Sequence, residues 1–340
     1  MTTRSIFLFP FLVFASSACG VDGTPPIGPA GQAGGSEDDA GGVTGGGNRD
    51  AGSGASSDAG GAGSGDAGGG GDAGTPCFAD TYHPGVSIDD LKQAYTSGAW
   101  LTTSLEVMSR RYPTGHFVLD GEKTDPQLAG FSDSSSWSAL MESLMTMVHE
   151  ESHGYDFDHS QAGSHLFVLR DNDLLVQPPE LANMWPRSEL LSMITDDSTK
   201  LYDDTYLTGT QGTYDVVFLG EELNAYTNGL AAITAVADQI TSTISARDGV
   251  VAHLLYLELY LKRGRAAHPT EYAAMKAEPA WQKFVRFEWA RGHYWDKEAL
   301  PFPVLTIGAD RIWPHVNDAA NLEEIKQFTG DDAAYVACHP

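Results

Sequence analysis

The sequence predicts a mainly α (α+β) domain over residues 77–340, with one small β element and a disordered tether in front of it. Three observations carry this prediction. Apolar residues recur at three- and four-residue spacing in several long segments of the domain. One pair of short apolar runs brackets a polar turn, as in a β-hairpin. Residues 20–76 hold 22 of the chain's 38 Gly and almost no large apolar side chain. Nothing in that stretch can offset the entropy of ordering a chain.

The amino terminus comes first. Arg4 precedes the apolar run Ser5 to Ala15. A bilayer-spanning helix needs about 20 apolar residues, so this run is too short and fits an export signal over residues 1–18. Ala15-Ser16-Ser17-Ala18 before Cys19 looks like a bacterial lipoprotein cleavage site, with Ser16 where Leu is usual. That likeness implies lipidation of Cys19, an exported chain and a membrane anchor through lipid alone. The tether follows, as a flexible linker over residues 19–76. Its Asp-Ala-Gly echoes at 58, 66 and 72 are low-complexity repeats. They have no strand before them or helix after them, which a phosphate-cradling loop requires.

Within the domain, Ile88, Leu91 and Tyr95 suggest helix over 87–111, broken by Tyr112-Pro113-Thr114-Gly115. His116-Phe117-Val118-Leu119 reads as a strand. Ser132 to Ser136 is rich in N-cap residue types, and Trp137, Leu140, Met141, Leu144, Met145 and Val148 then form one helical face. This helix is expected to end at His153, with Gly154 as its C-cap. His165 to Leu169 and Leu174 to Val176 make the hairpin, turning through Arg170-Asp171-Asn172-Asp173 and stopped by Pro178 and Pro179. Asp171-Asn172-Asp173 lacks the glycine and closing Glu of a calcium loop, so the turn explains it. Helices are expected over 187–194, 215–240, 250–261 and 281–295, with a turn-rich stretch at 196–213. The last forty residues read as irregular, with one helix near 322–328.

The formal charge is −26; the tether carries eight acids and one Arg and the leader one Arg, which leaves −20 on residues 77–340. A surface so negative repels phosphate backbones and argues against nucleic acid as a partner. Of the three Cys, Cys77 and Cys338 stand at the two ends of the domain. Export places them in an oxidising compartment, where they are expected to pair.

The chemistry concentrates at His149-Glu150-Glu151-Ser152-His153, an H-E-x-x-H run late in a helix. Four helical residues turn about 400° and rise about 6 Å, so both imidazoles lie on one face and can reach one Zn²⁺. Glu150 stands beside the first of them, placed to take a proton from water. A third ligand is required. Gly220-Glu221-Glu222-Leu223-Asn224-Ala225 resembles the gluzincins, zinc peptidases whose third ligand is a Glu on a later helix, often in a Glu-x-x-Ala pattern. The resemblance covers roughly residues 134–230 and implies His149, His153 and Glu222 as metal ligands, with Glu221 as the fallback. In one gluzincin branch an Asp four residues after the ligand Glu supports a zinc histidine; here that position is Tyr226. His159 has the spacing of a metzincin ligand, yet Asp156 occupies that motif's Gly position. The resemblance further implies an oxyanion donor from a downstream helix, with His293 and Tyr294 as first candidates and His253 with Tyr256 as second. The expected activity is hydrolysis of a peptide or protein substrate outside the cell. The rival expectation is a surface binding module with a peptidase-like fold and no turnover, and a structural metal site with four protein ligands is a third.

Overall fold

The computed structural model describes residues 77–196 and 200–340, so the leader, Cys19 and the tether lie outside the described residues. The described chain is mainly helical with one two-stranded sheet. In chain order the helices are α1 (Asp89–Ala94), α2 (Trp100–Arg111), α3 (Pro113–Gly121) and α4 (Trp137–His159). The strands β1 (Phe167–Arg170) and β2 (Leu174–Val176) follow. Then come α5 (Asp203–Tyr206), α6 (Gly209–Gly212), α7 (Val216–Ala235), α8 (Ala246–Ala267), α9 (Pro269–Ala277) and α10 (Pro279–Ala299). The chain closes with α11 (Ala309–Val316), α12 (Ala319–Thr329) and α13 (Ala333–Val336).

Several elements depart from the sequence expectation. Residues 116–119 are helix, not strand: Pro113 sits in the first turn of α3, where its missing N–H is no loss. Tyr112, the residue before that proline, is forced out of the helical region at φ −145° and ψ 89°, so α2 and α3 are separate helices. The 87–111 segment is likewise divided, with Tyr95 extended at ψ 133° between α1 and a 3₁₀ turn at Ser97–Ala99. Helix α4 passes through Gly154 and ends at His159. Gly154 is absent from the positive-φ residues, and packing of the last turn outweighs the roughly 1 kcal/mol a mid-helix glycine costs. Arg187–Met193 is a 3₁₀ helix, and the turn-rich stretch holds the short α5 and α6. The final forty residues are more ordered than expected, because Asp318 caps α12 through Ala320 N at 2.9 Å and Gly330 ends it at φ +85°.

The hairpin forms as expected, pairing Phe167 with Val176 and Val168 with Leu175 in antiparallel register. Asp171 Oδ1 accepts from Asp173 N at 2.9 Å and closes the turn. Helix α4 lies along α7, which also packs on α8 and α10. Ser136 caps α4 by accepting from Ala139 N at 3.1 Å, and Asp215 caps α7 by accepting from Val217 N at 3.0 Å. Helices α7 and α8 are buried almost all round and form the centre of the core. Cys77 and Cys338 lie at disulfide-bonding distance, with Cα atoms 4.4 Å apart, so the two ends of the described domain meet. Among the described residues, no helix is long and apolar enough to cross a membrane.

Candidate metal centre

Helix α4 delivers His149 and His153 one turn apart, with ring centroids 5.0 Å from each other. Glu222, early in α7, completes the group. Glu222 Oε2 is 3.8 Å from His149 Nε2 and 3.7 Å from His153 Nε2. One ligand atom from each residue lies within 4.8 Å of the other two. A tetrahedral ion with ligands at about 2.0–2.1 Å has ligand–ligand edges of about 3.4 Å. The Glu222 oxygen is thus within a few tenths of an ångström of that edge from each imidazole. Glu222 Oε2 is buried and has no hydrogen-bond partner, the condition of an atom awaiting one. Gly229 lets the two helices approach: a Cβ there would stand 3.0 Å from Met145 O and 3.4 Å from the His149 Cβ.

Charge in the group is divided between the partners. Burial, and then His153, push the His149 imidazole down to about 3. For His153, burial is outweighed by the Glu221 and Glu222 carboxylates, which hold its imidazole well above the usual range. Burial pushes the Glu222 carboxyl up, but His153, His149 and Arg187 outweigh it and hold it at about 2. His153 thus lies between two acids, Glu221 on its Nδ1 side and Glu222 on its Nε2 side. A cation held by this group would take the place of a proton on His153 and face the same two acids.

The rest of the histidine is fixed as well. His153 Nδ1 donates to Glu221 Oε2 at 2.8 Å, and the second Glu221 oxygen accepts from His165 Nε2. Glu221 thus bonds the His153 ring on the side away from Glu222, with its other oxygen taken by His165. Asp156, in the position where the metzincin pattern has Gly, is buried and structural. It accepts from Val168 N at 2.7 Å and from Asn224 Nδ2 at 2.8 Å, joining α4, β1 and α7. Asn228 Nδ2 reaches Ser152 Oγ at 3.1 Å, and Arg291 of α10 donates to Asn224 and Asn228 at 3.2 and 2.6 Å. A continuous buried polar network thus ties α4, α7 and α10 together.

The remaining predicted residues divide clearly. Glu150 is half-buried beside the group; burial raises its carboxyl, His153 lowers it and Glu222 raises it again. His159 donates from Nδ1 to Tyr155 O at 2.9 Å and stacks on the Tyr155 ring, away from His149 and Glu222. His293 and Tyr294 are not brought to the group. The His293 ring lies between Trp289 and Trp313, and the Tyr294 hydroxyl donates to Asp80 O at 3.4 Å. Trp313, Phe78 and Asp80 place them beside the disulfide end of the domain. His253 of α8 does lie near, stacked on Tyr226 with centroids 4.9 Å apart. Its Nδ1 donates to Gly249 O at 2.8 Å and burial lowers its imidazole to about 4, so Nε2 carries a lone pair and no proton for an oxyanion. Tyr256 donates to Asp203 at 2.5 Å. Tyr226, at the Asp position of the gluzincin branch, meets His149 edge-on with centroids 4.6 Å apart.

Sequence reasoning missed His165, which reads as the start of a strand, and Arg187, which reads as a helix start. Arg187 is fully buried, donates to Gln211 O at 2.8 Å and lies close enough to lower the Glu222 carboxyl. Its partner Gln211 lies 24 residues further on and Glu222 beyond that, so no local pattern marks it. In comparisons with known proteins, no family model, no curated protein and no solved structure matches the chain.

Proposed function

We propose that this chain is a zinc-dependent hydrolase of gluzincin type that cleaves peptide bonds in an extracellular peptide or protein, held at a membrane by lipid on Cys19. The observation that carries the reading is the convergence of His149, His153 and Glu222, which each offer one ligand atom within 4.8 Å of the others. Two imidazoles and one carboxylate are the donor set of an open catalytic zinc site. When bound, zinc polarises a carbonyl oxygen and acidifies water. Glu150 accepts the proton of the attacking water and returns it to the leaving amine, and its raised carboxyl suits both directions of transfer. Glu221 keeps the His153 ring oriented with its Nε2 toward the cation.

The placement of His293 and Tyr294 away from this group favours a second reading, a binding module that holds zinc without turnover. One experiment separates the two. The zinc-loaded full chain is assayed on a mixed peptide library beside Glu150→Gln. Catalysis predicts cleavage by the wild type and a loss of about 10²-fold or more in the variant, with zinc retained by both. Equal behaviour of the two proteins removes the enzymatic reading.

A further inference from the structure

We infer that His165 is a positioning residue of the metal centre, acting on His153 through Glu221; the inference rests on the zinc reading above. Glu221 is only 1% exposed, so its carboxylate has no water to satisfy it. Its two oxygens serve two imidazoles, His153 Nδ1 on one side and His165 Nε2 on the other. Each donor fixes the rotation of the carboxylate for the other. Without His165, one buried oxygen has no donor and the carboxylate is free to turn, which takes the fixed acceptor away from His153 Nδ1.

His165 is itself locked in place. Its backbone N donates to Pro178 O at 2.9 Å, and its ring meets Phe157 and Phe167 edge-on with centroids 5.0 and 4.9 Å away. Ser160, just past the end of α4, folds the connecting loop back. Its Oγ donates to Asp156 O at 2.7 Å, accepts from Leu166 N at 2.8 Å and lies 3.3 Å from His165 Nδ1. The loop that leads into the hairpin thus returns an imidazole to the helix pair it departed from. The segment between the second histidine and Glu222 contributes a residue to the site and is more than an insertion between ligands.

The test compares His165→Ala and His165→Gln in the full chain, since a Gln amide can stand in for the Nε2 donor. Zinc affinity is read by chelator competition, and the His153 Nδ1 proton by nitrogen-edited NMR of the metal-free protein. Melting of the metal-free proteins controls for folding. His165→Ala is expected to bind zinc about tenfold more weakly and to lose the slowly exchanging His153 proton, with His165→Gln restoring most of both. Wild-type affinity and an intact proton signal in His165→Ala overturn the inference, as does a Gln variant no better than Ala. If wild type takes up no zinc, the zinc reading falls, while the NMR comparison still decides whether His165 positions His153.

Discussion

His153 and Glu221 are joined through the side of the imidazole that faces away from Glu222: Nδ1 donates to Glu221 Oε2 at 2.8 Å while Nε2 looks toward Glu222 Oε2 at 3.7 Å. Adjacent acids on one helix therefore do different work. The first prediction follows. Glu221→Ala should weaken zinc binding by about 10- to 100-fold, and Glu221→Gln, which keeps one acceptor, by less. Competition titration with a chelator reads both. Equal affinity in all three proteins would mean that this contact does not orient the ligand.

A second prediction concerns the layer behind His149. Gly249 of α8 lies so close under the Tyr226 ring that a Cβ there would overlap it, and Tyr226 in turn meets His149. Gly249→Ala should cost about 1–3 kcal/mol, the usual range for overpacking a core. It should also lower zinc affinity, because the displaced ring moves against a ligand. Denaturant titration checks the first effect. A variant of wild-type stability would show that the core at this point has room.

Glu258 gives a pH-dependent prediction. It is fully buried in α8, both carboxylate oxygens lack partners, and burial pushes its carboxyl up to about 10. A raised folded value means the folded state holds the proton more tightly than the unfolded chain. That stabilisation is complete below the ordinary carboxyl value near pH 4.5 and is lost as pH rises toward 10. By pH 7 the loss amounts to about 3 kcal/mol. Glu258→Gln should therefore gain stability over wild type as pH rises from 5 to 8. Parallel melting curves for the two proteins across that range would contradict it.

The disulfide provides a fourth prediction. Cys77 and Cys338 are separated by 261 residues, so their bond closes nearly the whole domain as one loop. The chain-entropy model gives about 5 kcal/mol for such closure as an upper figure. Reduction, or Cys77→Ser with Cys338→Ser, should lower the melting temperature without removing zinc, since neither cysteine belongs to the His149 group. Unchanged melting under strong reductant would count against the bond.

Much of this architecture was legible in the sequence because it follows from local rules. The 3.6-residue spacing from Trp137 to Val148 marks α4, and the same rule puts His149 and His153 on one face. The approach of Glu222 to these histidines was legible only through resemblance, since no local rule links residues 69 apart. The strand expected at 116–119 failed because four apolar or aromatic-rich residues fit either element, and Pro113 decided for helix. His165 was not legible at all: its contact with Glu221 depends on Ser160 folding a loop back on α4. The place of His293 and Tyr294 was not legible either: Trp313 and Phe78 pack that part of α10 beside Cys77 rather than against the His149 group.

The account stands on three side chains sharing one cation, and zinc content tests that most directly. The full chain, stripped and reloaded with zinc, should carry one ion per molecule by elemental analysis. His149→Ala, His153→Ala and Glu222→Ala should each lose it, while His159→Ala and His293→Ala keep it. Zinc retained in full by Glu222→Ala, or none bound by a folded wild type, would contradict the account.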